Sequence, residues 1–314
     1  MQGTAIIIGN MIGGITGGGG AILPTFYILG DGTIDGDNII DESGNFLVSE
    51  LAPNPAPYLL DAYTGATAGY SLRRLSSTYT GFAIKVQDNV GGATLDVGFN
   101  INRGLDTAAI AIYGGVNDVF VETWYDQSGN GNNAVQATSA NRPKIYDGAT
   151  GVVTGSISGK PTIFFDTNHK MPTTTTASTQ TLSLFSVAQG NTGRKTILDI
   201  GSSNGFDLRT WSIRNYRLFW GDGSTQQNIE SPTSSKNETV YSVLKTSTTL
   251  NVYLNSSLDK SAITSLYTSN TINISATGQL GGTANISEIV LYTSDQSANR
   301  TGIETNINDF YSIY

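Results

Sequence analysis

From Leu59 onward the chain alternates short apolar runs with turn residues. The runs are Phe82–Val86, Val119–Tyr125, Thr162–Phe165, Leu182–Ala188, Val240–Leu244, Leu250–Leu254 and Ile286–Tyr292. In LNVYLN, Leu250, Val252 and Leu254 face one way, and Asn251, Tyr253 and Asn255 the other. A period of two is the signature of a strand with one buried and one wet face. Many such strands with Gly, Asn and Ser turns predict an all-β fold, a jelly-roll β-sandwich. Two helices are expected to interrupt it. Asp106 is placed to cap a short one over Ala108–Tyr113. Further on, Ile303, Ile307, Phe310 and Tyr314 recur at helical spacing and predict a C-terminal helix packed on the sandwich. TTTTASTQT, residues 173–181, reads by composition as a solvated loop.

The first 57 residues break this pattern. Residues 1–30 carry no charged side chain, and eight of the first 20 are glycine. A secretory signal needs a basic start and a compact apolar stretch. A membrane-spanning helix needs about 20 mostly apolar residues. This glycine-broken stretch predicts neither a signal peptide nor a membrane span. Gly-rich apolar sequence loses too much backbone entropy for the area it buries. Residues 1–30 are therefore expected to act as an extended anchor, ordered in the groove of a larger assembly through Ile6, Ile7, Ile8, Ile22, Leu23 and Phe26. The alternative is a disordered leader. Residues 31–57 form an acidic, turn-rich linker, ending in the extended joint NPAPY at 54–58. Within it DGTIDGDNIIDE, residues 31–42, partly fits the twelve-residue calcium loop, with Asp31, Thr33, Asp35, Gly36 and Glu42 in ligand-loop positions. Asn38 stands where that loop wants an apolar residue, and a set of β-turns built on Asp-Gly is the competing reading. Ca2+ is the one cofactor these residues raise. The lectin-like sandwich then occupies 58–314.

Charge sharpens this division. The formal net charge is −8, and no Lys or Arg precedes Arg73. Of the 25 acidic residues seven lie before Arg73, which leaves 18 against 17 basic ones in the rest of the chain. An acidic leader on a near-neutral sandwich offers no basic patch for nucleic acid. The absence of cysteine excludes a disulfide framework, a thiol nucleophile and thiolate metal sites. His169 is the sole histidine, so no multi-His zinc site is available. No G-x-S-x-G elbow accompanies it, and it reads as a loop histidine.

LLDAYTGATAGYSLRRLSSTYTGFAIKV (residues 59–86), then Asp96-Val97-Gly98, then WYDQSGNGNNAVQA (124–137), resembles the catalytic domain of the fungal α-L-arabinofuranosidase B family. The residues that carry the resemblance are Tyr70-Ser71-Leu72-Arg73, Ser77-x-Tyr79-Thr80-Gly81 and Tyr125-Asp126-Gln127-Ser128-Gly129-x-Gly131-Asn132. It covers about residues 58–314 and is strongest over 59–145. It implies a concanavalin-like β-sandwich. Related modules occur in bacterial surface proteins and phage structural proteins. Asp126 and Gln127 themselves read as a scaffold for the Gly-Asn-Gly turn that follows them.

A retaining glycosidase needs two carboxyl groups about 5–5.5 Å apart, one a nucleophile and one an acid. In the family the nucleophile sits in a motif like Asp-Leu-Glu-Asn-Gly-Leu-Phe. The matching stretch here is Ser212-Ile213-Arg214-Asn215-Tyr216-Arg217-Leu218-Phe219, so the nucleophile falls on Arg214 and a sugar-contacting Asp on Ser212. The family's acid follows a Gly-Gly pair. Here Gly281-Gly282 is followed by Thr283. The family's vicinal cysteine platform aligns with Thr196-Ile197. Arginine and threonine cannot replace a carboxylate pair. Asp199 and Asp207 are the acids this segment offers instead. What the resemblance leaves is a glycan pocket built from Trp211, Asn215, Trp220, Gly282, Thr283 and Asp199, with both Trp residues serving as sandwich core in the competing reading.

These readings predict a non-enzymatic structural component of a virion or surface assembly, such as a phage fibre, tail or capsid-associated protein, assembled in the host cytoplasm. Its partners are other assembly proteins through residues 1–30, a cell-surface glycan, and further copies of itself. An active arabinofuranosidase and a free carbohydrate-binding module are the alternatives.

Overall fold

The computed structural model describes residues 33–35, 38–40, 57–177, 181–200, 206–211, 214–221, 226–231, 237–246, 248–263, 270–274 and 282–314. The chain divides into two compact units, Met1–Ala56 and Pro57–Tyr314. In the first, β1 (Thr33–Asp35) and β2 (Asn38–Ile40) pair antiparallel, with Thr33 opposite Ile40 and Asp35 opposite Asn38. Thr33 and Asp35 thus lie on a hairpin strand. Asp31 and Glu42 fall outside the described residues, as do Ile6, Ile7, Ile8, Ile22, Leu23 and Phe26.

The second unit is a β-sandwich. It opens with the single-turn helix α1 (Leu59–Ala62), followed by β3 (Ala68–Ser71), β4 (Ile84–Asp88), β5 (Leu95–Val97) and helix α2 (Thr107–Gly114). Next come β6 (Val119–Trp124), β7 (Ala134–Val135), β8 (Lys144–Asp147), β9 (Gly151–Val152), β10 (Ile163–Phe165), β11 (Met171–Ala177) and β12 (Leu182–Thr192). The remainder is β13 (Arg194–Ile200), β14 (Phe206–Trp211), β15 (Arg214–Gly221), β16 (Gln226–Glu230), β17 (Thr239–Lys245), β18 (Thr249–Leu254), β19 (Ser257–Ile263), β20 (Asn270–Ile274), β21 (Thr283–Tyr292) and helix α3 (Arg300–Tyr311).

The larger antiparallel sheet runs β19-β18-β17-β12-β21-β10-β8-β6-β4-β5, with β3 added to β21, β7 to β6 and β9 to β8. The smaller runs β11-β20-β13-β14-β15-β16. Leu184, Tyr241, Val243 and Ile286 from the first share one buried cluster with Leu198, Leu208, Tyr216 and Leu218 from the second. A second cluster lies on the opposite face of the larger sheet. There Phe185, Val187, Val240, Leu244 and Val290 meet Ile303, Ile307 and Tyr311 of α3. Strands β12 and β17 are consequently covered on both faces, which is why their sequences read as continuous apolar runs. At β18 the cover ends, and Leu250 and Val252 are buried while Asn251 and Tyr253 are half-buried.

The capped helix forms where Asp106 was expected to start it, and Asp106 Oδ1 accepts a hydrogen bond from Ala109 N at 3.1 Å. Two expectations need correction. Residues 173–177 of the threonine-rich stretch belong to strand β11 rather than a loop, since threonine's β-branch suits the pleat as well as its hydroxyl suits solvent. The C-terminal helix ends before Tyr314. Ser312 turns left-handed (φ 54°) and Asn308 Oδ1 accepts from Ile313 N and Tyr314 N, so Tyr311 takes the buried place and Tyr314 is exposed.

Candidate functional site

The chain crosses from the larger sheet to the smaller at Gly193, whose φ of 58° makes the tight turn between β12 and β13. Thr192 stands opposite Thr283 at the start of β21, their hydroxyl oxygens 3.0 Å apart. Asn191 Nδ2 donates to Asn285 Oδ1 at 3.1 Å. On the smaller sheet Arg194 pairs with Trp211, and Trp211 pairs with Arg214. Each step is one strand spacing of about 4.8 Å. The β12–β13 corner therefore has Thr283 beside it on the larger sheet, and Trp211 and Arg214 one and two strands away from Arg194 on the smaller. Asp199 and Trp220 stand apart from it. Asp199 pairs with Asp207 and Asn273, and Trp220 with Phe206 and Gln227. Asp199 lies five positions beyond Arg194, about 16 Å along the strand.

No Asp or Glu occurs among the described residues that meet at this corner: 189–196, 208–211, 214–216 and 283–285. Thr196, where the resemblance places the cysteine platform, is buried, and its hydroxyl has no hydrogen-bond partner. Next to it Lys195 is buried, and Nζ donates to the carbonyls of Asp166 (2.5 Å), His169 (3.0 Å) and Thr167 (3.2 Å). Burial holds its ammonium down at about 8, opposed by Asp166. His169 belongs to the same loop, where Nδ1 accepts from Asp166 N at 3.0 Å. A loop role explains this histidine.

The Tyr-Asp-Gln-Ser-Gly stretch is structural. Asp126 Oδ1 accepts from Gly69 N (2.8 Å) and Ser128 N (2.9 Å), and Oδ2 from Ser128 Oγ (2.7 Å) and Asn132 N (2.9 Å). Gln127 turns the other way. Its Oε1 accepts from Leu75 N, and Nε2 donates to the carbonyls of Ser71 and Arg73. The two side chains bind the turn at 126–132 to the segment 69–75 and leave no acid or amide of this motif for substrate. Above it Tyr70 donates to the Asn132 carbonyl and packs 5.9 Å from the buried Trp124 ring.

A cleft of about 500 Å3 opens elsewhere, between the 76–82 loop and the 98–103 turn. Tyr58, Tyr79, Phe82 and Phe99 supply its rings, and Arg74 and Arg103 its charge. Tyr79 meets Phe99 edge-on at 6.4 Å, and its hydroxyl donates to the Phe82 carbonyl at 2.8 Å. Burial pushes that hydroxyl up to about 12, with Asp126 adding to the shift. A Cβ on Gly81 would lie 2.6 Å from the Tyr79 oxygen, so a larger residue here would displace the Tyr79 ring. The sequence reading did not single out this cleft, although Ser77-x-Tyr79-Thr80-Gly81 was among its motifs.

Among the described residues no cluster of three or more His, Asp or Glu is placed to hold a metal, and no helix is long and apolar enough to cross a membrane.

No protein-family model matches this chain, and no curated protein matches it. Solved structures share its fold. A crystal structure of arabinofuranosidase complexed with arabinofuranosyl-α-1,2-xylobiose is similar with a TM-score of 0.60 at 15% identity. A GH54 α-L-arabinofuranosidase soaked with a cyclic sulfate inhibitor gives 0.63 at 15%. A mutant GH54 α-L-arabinofuranosidase soaked with 4-nitrophenyl α-L-arabinofuranoside gives 0.64 at 14%. Each match covers 81% of this chain and 64% of the other, so the chain spans less than two thirds of those proteins' length. At such identity the likeness is one of fold, and the chain is built on the β-sandwich seen in these arabinofuranosidase structures.

Proposed function

We propose that this chain is a non-enzymatic, lectin-like component of a virion or surface assembly, whose sandwich recognises a glycan at the β12–β13 corner. The observation that carries it is the chemistry of that corner. Arg214 and Thr283 occupy the positions where the resemblance expects a nucleophile and an acid, and no described carboxylate is brought there in their stead. A fold related to glycosidases, with no Asp or Glu among the described residues of that corner, supports binding over hydrolysis. Trp211 and Asn215 supply the ring and amide chemistry that sugar recognition uses. The uncharged residues 1–30 support the assembly role, as a segment that docks in a particle while the sandwich faces outward.

The full chain is tested on two substrates. With 4-nitrophenyl α-L-arabinofuranoside no nitrophenol is released above buffer. On a glycan array the protein binds a defined subset, and Trp211→Ala and Asn215→Ala abolish that binding. Hydrolysis, or binding indifferent to both substitutions, overturns this reading. An isolated monomer whose first 30 residues resist protease counts against the assembly role.

A further inference from the structure

We propose that the exposed face of helix α2, with the 89–94 turn beside it, pairs with the same face of a second copy of this chain. This goes beyond the glycan reading given above and does not depend on it.

Between Thr107 and Tyr113 helix α2 reads Ala-Ala-Ile-Ala-Ile. One side of it is core, with Ile110 and Gly114 buried. The other side is open. Ala108, Ala111 and Ile112 are exposed, and Ile112 keeps 85% of its surface in solvent. Gly115, at φ 56°, ends the helix, and Val116 after it is 88% exposed. Val90, on the neighbouring turn, is 69% exposed. A helix that is apolar all round is ordinarily covered all round. An apolar patch of this kind, left open and rimmed by polar residues, marks an interaction surface.

Hydrogen bonds hold the two elements side by side. Tyr113 Oη donates to Ala93 O at 2.6 Å and accepts from Asp88 N at 3.1 Å. Asn89 N donates to Asp118 O at 2.9 Å. Behind them Tyr146 Oη donates to Gly115 O at 2.9 Å. The patch is built before a partner arrives, so little has to be ordered on association.

Charge selects the partner. Residues 89–95 and 107–117 contain no Asp, Glu, Lys or Arg. A two-fold contact sets a patch against itself, so any charge in it would face its like. This patch has none. The residues that bound the two stretches are acidic, namely Asp88, Asp96, Asp106 and Asp118, which disfavours an anionic membrane. Asn89, Thr94 and Asn117 give the contact a polar, uncharged rim. Asp106 also sets the direction. Parallel helices would place the two Asp106 carboxylates together at one end. Antiparallel ones keep them apart and oppose the helix dipoles. Ile112, midway between Ala108 and Val116, then lies at the two-fold axis against its own copy. A pair joined this way carries every ligand site of the sandwich in duplicate, which raises avidity on a surface of repeated ligands.

The test is sedimentation velocity of the full chain from about 1 to about 100 μM, where interfaces at the small end of the standard size associate. A monomer–dimer equilibrium is expected. Ile112→Asp and Val116→Asp each weaken it at least tenfold, with the thermal midpoint of the dilute monomer unchanged because both side chains are exposed. Leu258→Asp, at a site 58% exposed on strand β19, leaves it unchanged. The chain has no cysteine, so Ile112→Cys under mild oxidation can join position 112 only to position 112. It is expected to give a disulfide-linked dimer faster than Leu258→Cys does. A monomer across the whole range overturns the proposal. So does association indifferent to Ile112→Asp, or cross-linking no faster than that of Leu258→Cys. If the chain stays monomeric but floats with phosphatidylcholine vesicles, and Ile112→Asp releases it, the patch faces lipid and the proposal fails. If removing residues 1–30 abolishes association and Ile112→Asp does not, the leader builds the oligomer, which defeats this proposal and spares the assembly role given above.

Discussion

The guanidinium of Arg73 grips the carboxylate of Glu288 with two parallel bonds, Nε to Oε2 at 2.7 Å and Nη2 to Oε1 at 2.9 Å, both side chains almost wholly out of solvent. Ser71 Oγ donates to the same Oε2 at 2.7 Å, and Arg73 Nη1 donates to Asn306 Oδ1 at 2.9 Å. The pair ties β3 and β21 to helix α3. Removing one member of a buried pair strands the other charge, at about 3–5 kcal/mol. Arg73→Met or Glu288→Gln is therefore expected to lower the thermal midpoint by on the order of 10 °C. The double variant Arg73→Met/Glu288→Leu recovers at least half of the loss in denaturant unfolding. A double variant as damaged as the sum of its parts contradicts this account.

Asp126 should matter to stability alone. Asp126→Ala removes the acceptor for Gly69 N, Ser128 N and Asn132 N, and is expected to cost about 2–4 kcal/mol in urea unfolding. Sugar binding by the folded fraction should be unchanged. A stable variant that has lost binding would make Asp126 a ligand residue instead.

Stability should pass through an alkaline maximum. Burial holds Lys195 and Lys245 down at about 8, below their unfolded value of 10.5. Between those values the unfolded chain binds more protons, so stability rises with pH from about 8. Burial raises the hydroxyls of Tyr70, Tyr241, Tyr292 and Tyr311 above the ordinary 10.0. That contribution is full below pH 10 and is lost as pH climbs past it, because only the unfolded chain ionises there. Chemical denaturation across pH 7–11 should show the rise and then the fall, with tyrosinate absorbance of these rings appearing in step with loss of the sheet. All tyrosines titrating near pH 10 in a folded protein would refute it.

Two glycines should separate steric need from convenience. A Cβ on Gly148 would lie 2.1 Å from the Val116 carbonyl oxygen and 2.5 Å from its carbon, so backbone must move. Gly148→Ala is expected to cost about 1–3 kcal/mol. A Cβ on Gly98 meets nothing nearer than a Phe82 ring atom at 3.8 Å, and Gly98→Ala should stay within about 0.5 kcal/mol of the parent.

The sandwich was legible because its strands keep their chemistry local. Val119–Tyr125, Leu182–Ala188, Leu250–Leu254 and Ile286–Tyr292 all appear as apolar runs, and all became strands. The helix cap at Asp106 was legible for the same reason. Long-range partners were not. Gln127 reads as a turn residue, yet its hydrogen bonds reach back to Ser71, Arg73 and Leu75. The Arg73–Glu288 pair spans 215 residues, and no local pattern marks it. The cleft is assembled from Tyr58, Arg74, the 79–82 loop and the 98–103 turn, and depends on a backbone angle at Arg103 that side-chain identity argues against. Strand β11 was missed because threonine serves strands and loops alike.

Strand β21 follows every other described strand in sequence, yet it lies between β12 and β10 and also pairs with β3, whose residues 68–71 are among the first of the sandwich. A ribosome must therefore deliver residue 292 before the central ladder can close. Until then the nascent sheet presents the open edges of β12 and β10 and an apolar face that α3 has yet to cover. Folding of such a topology is slow. The yield of native protein in a cell should depend on how long those edges stay protected, more than on the final stability of the sandwich.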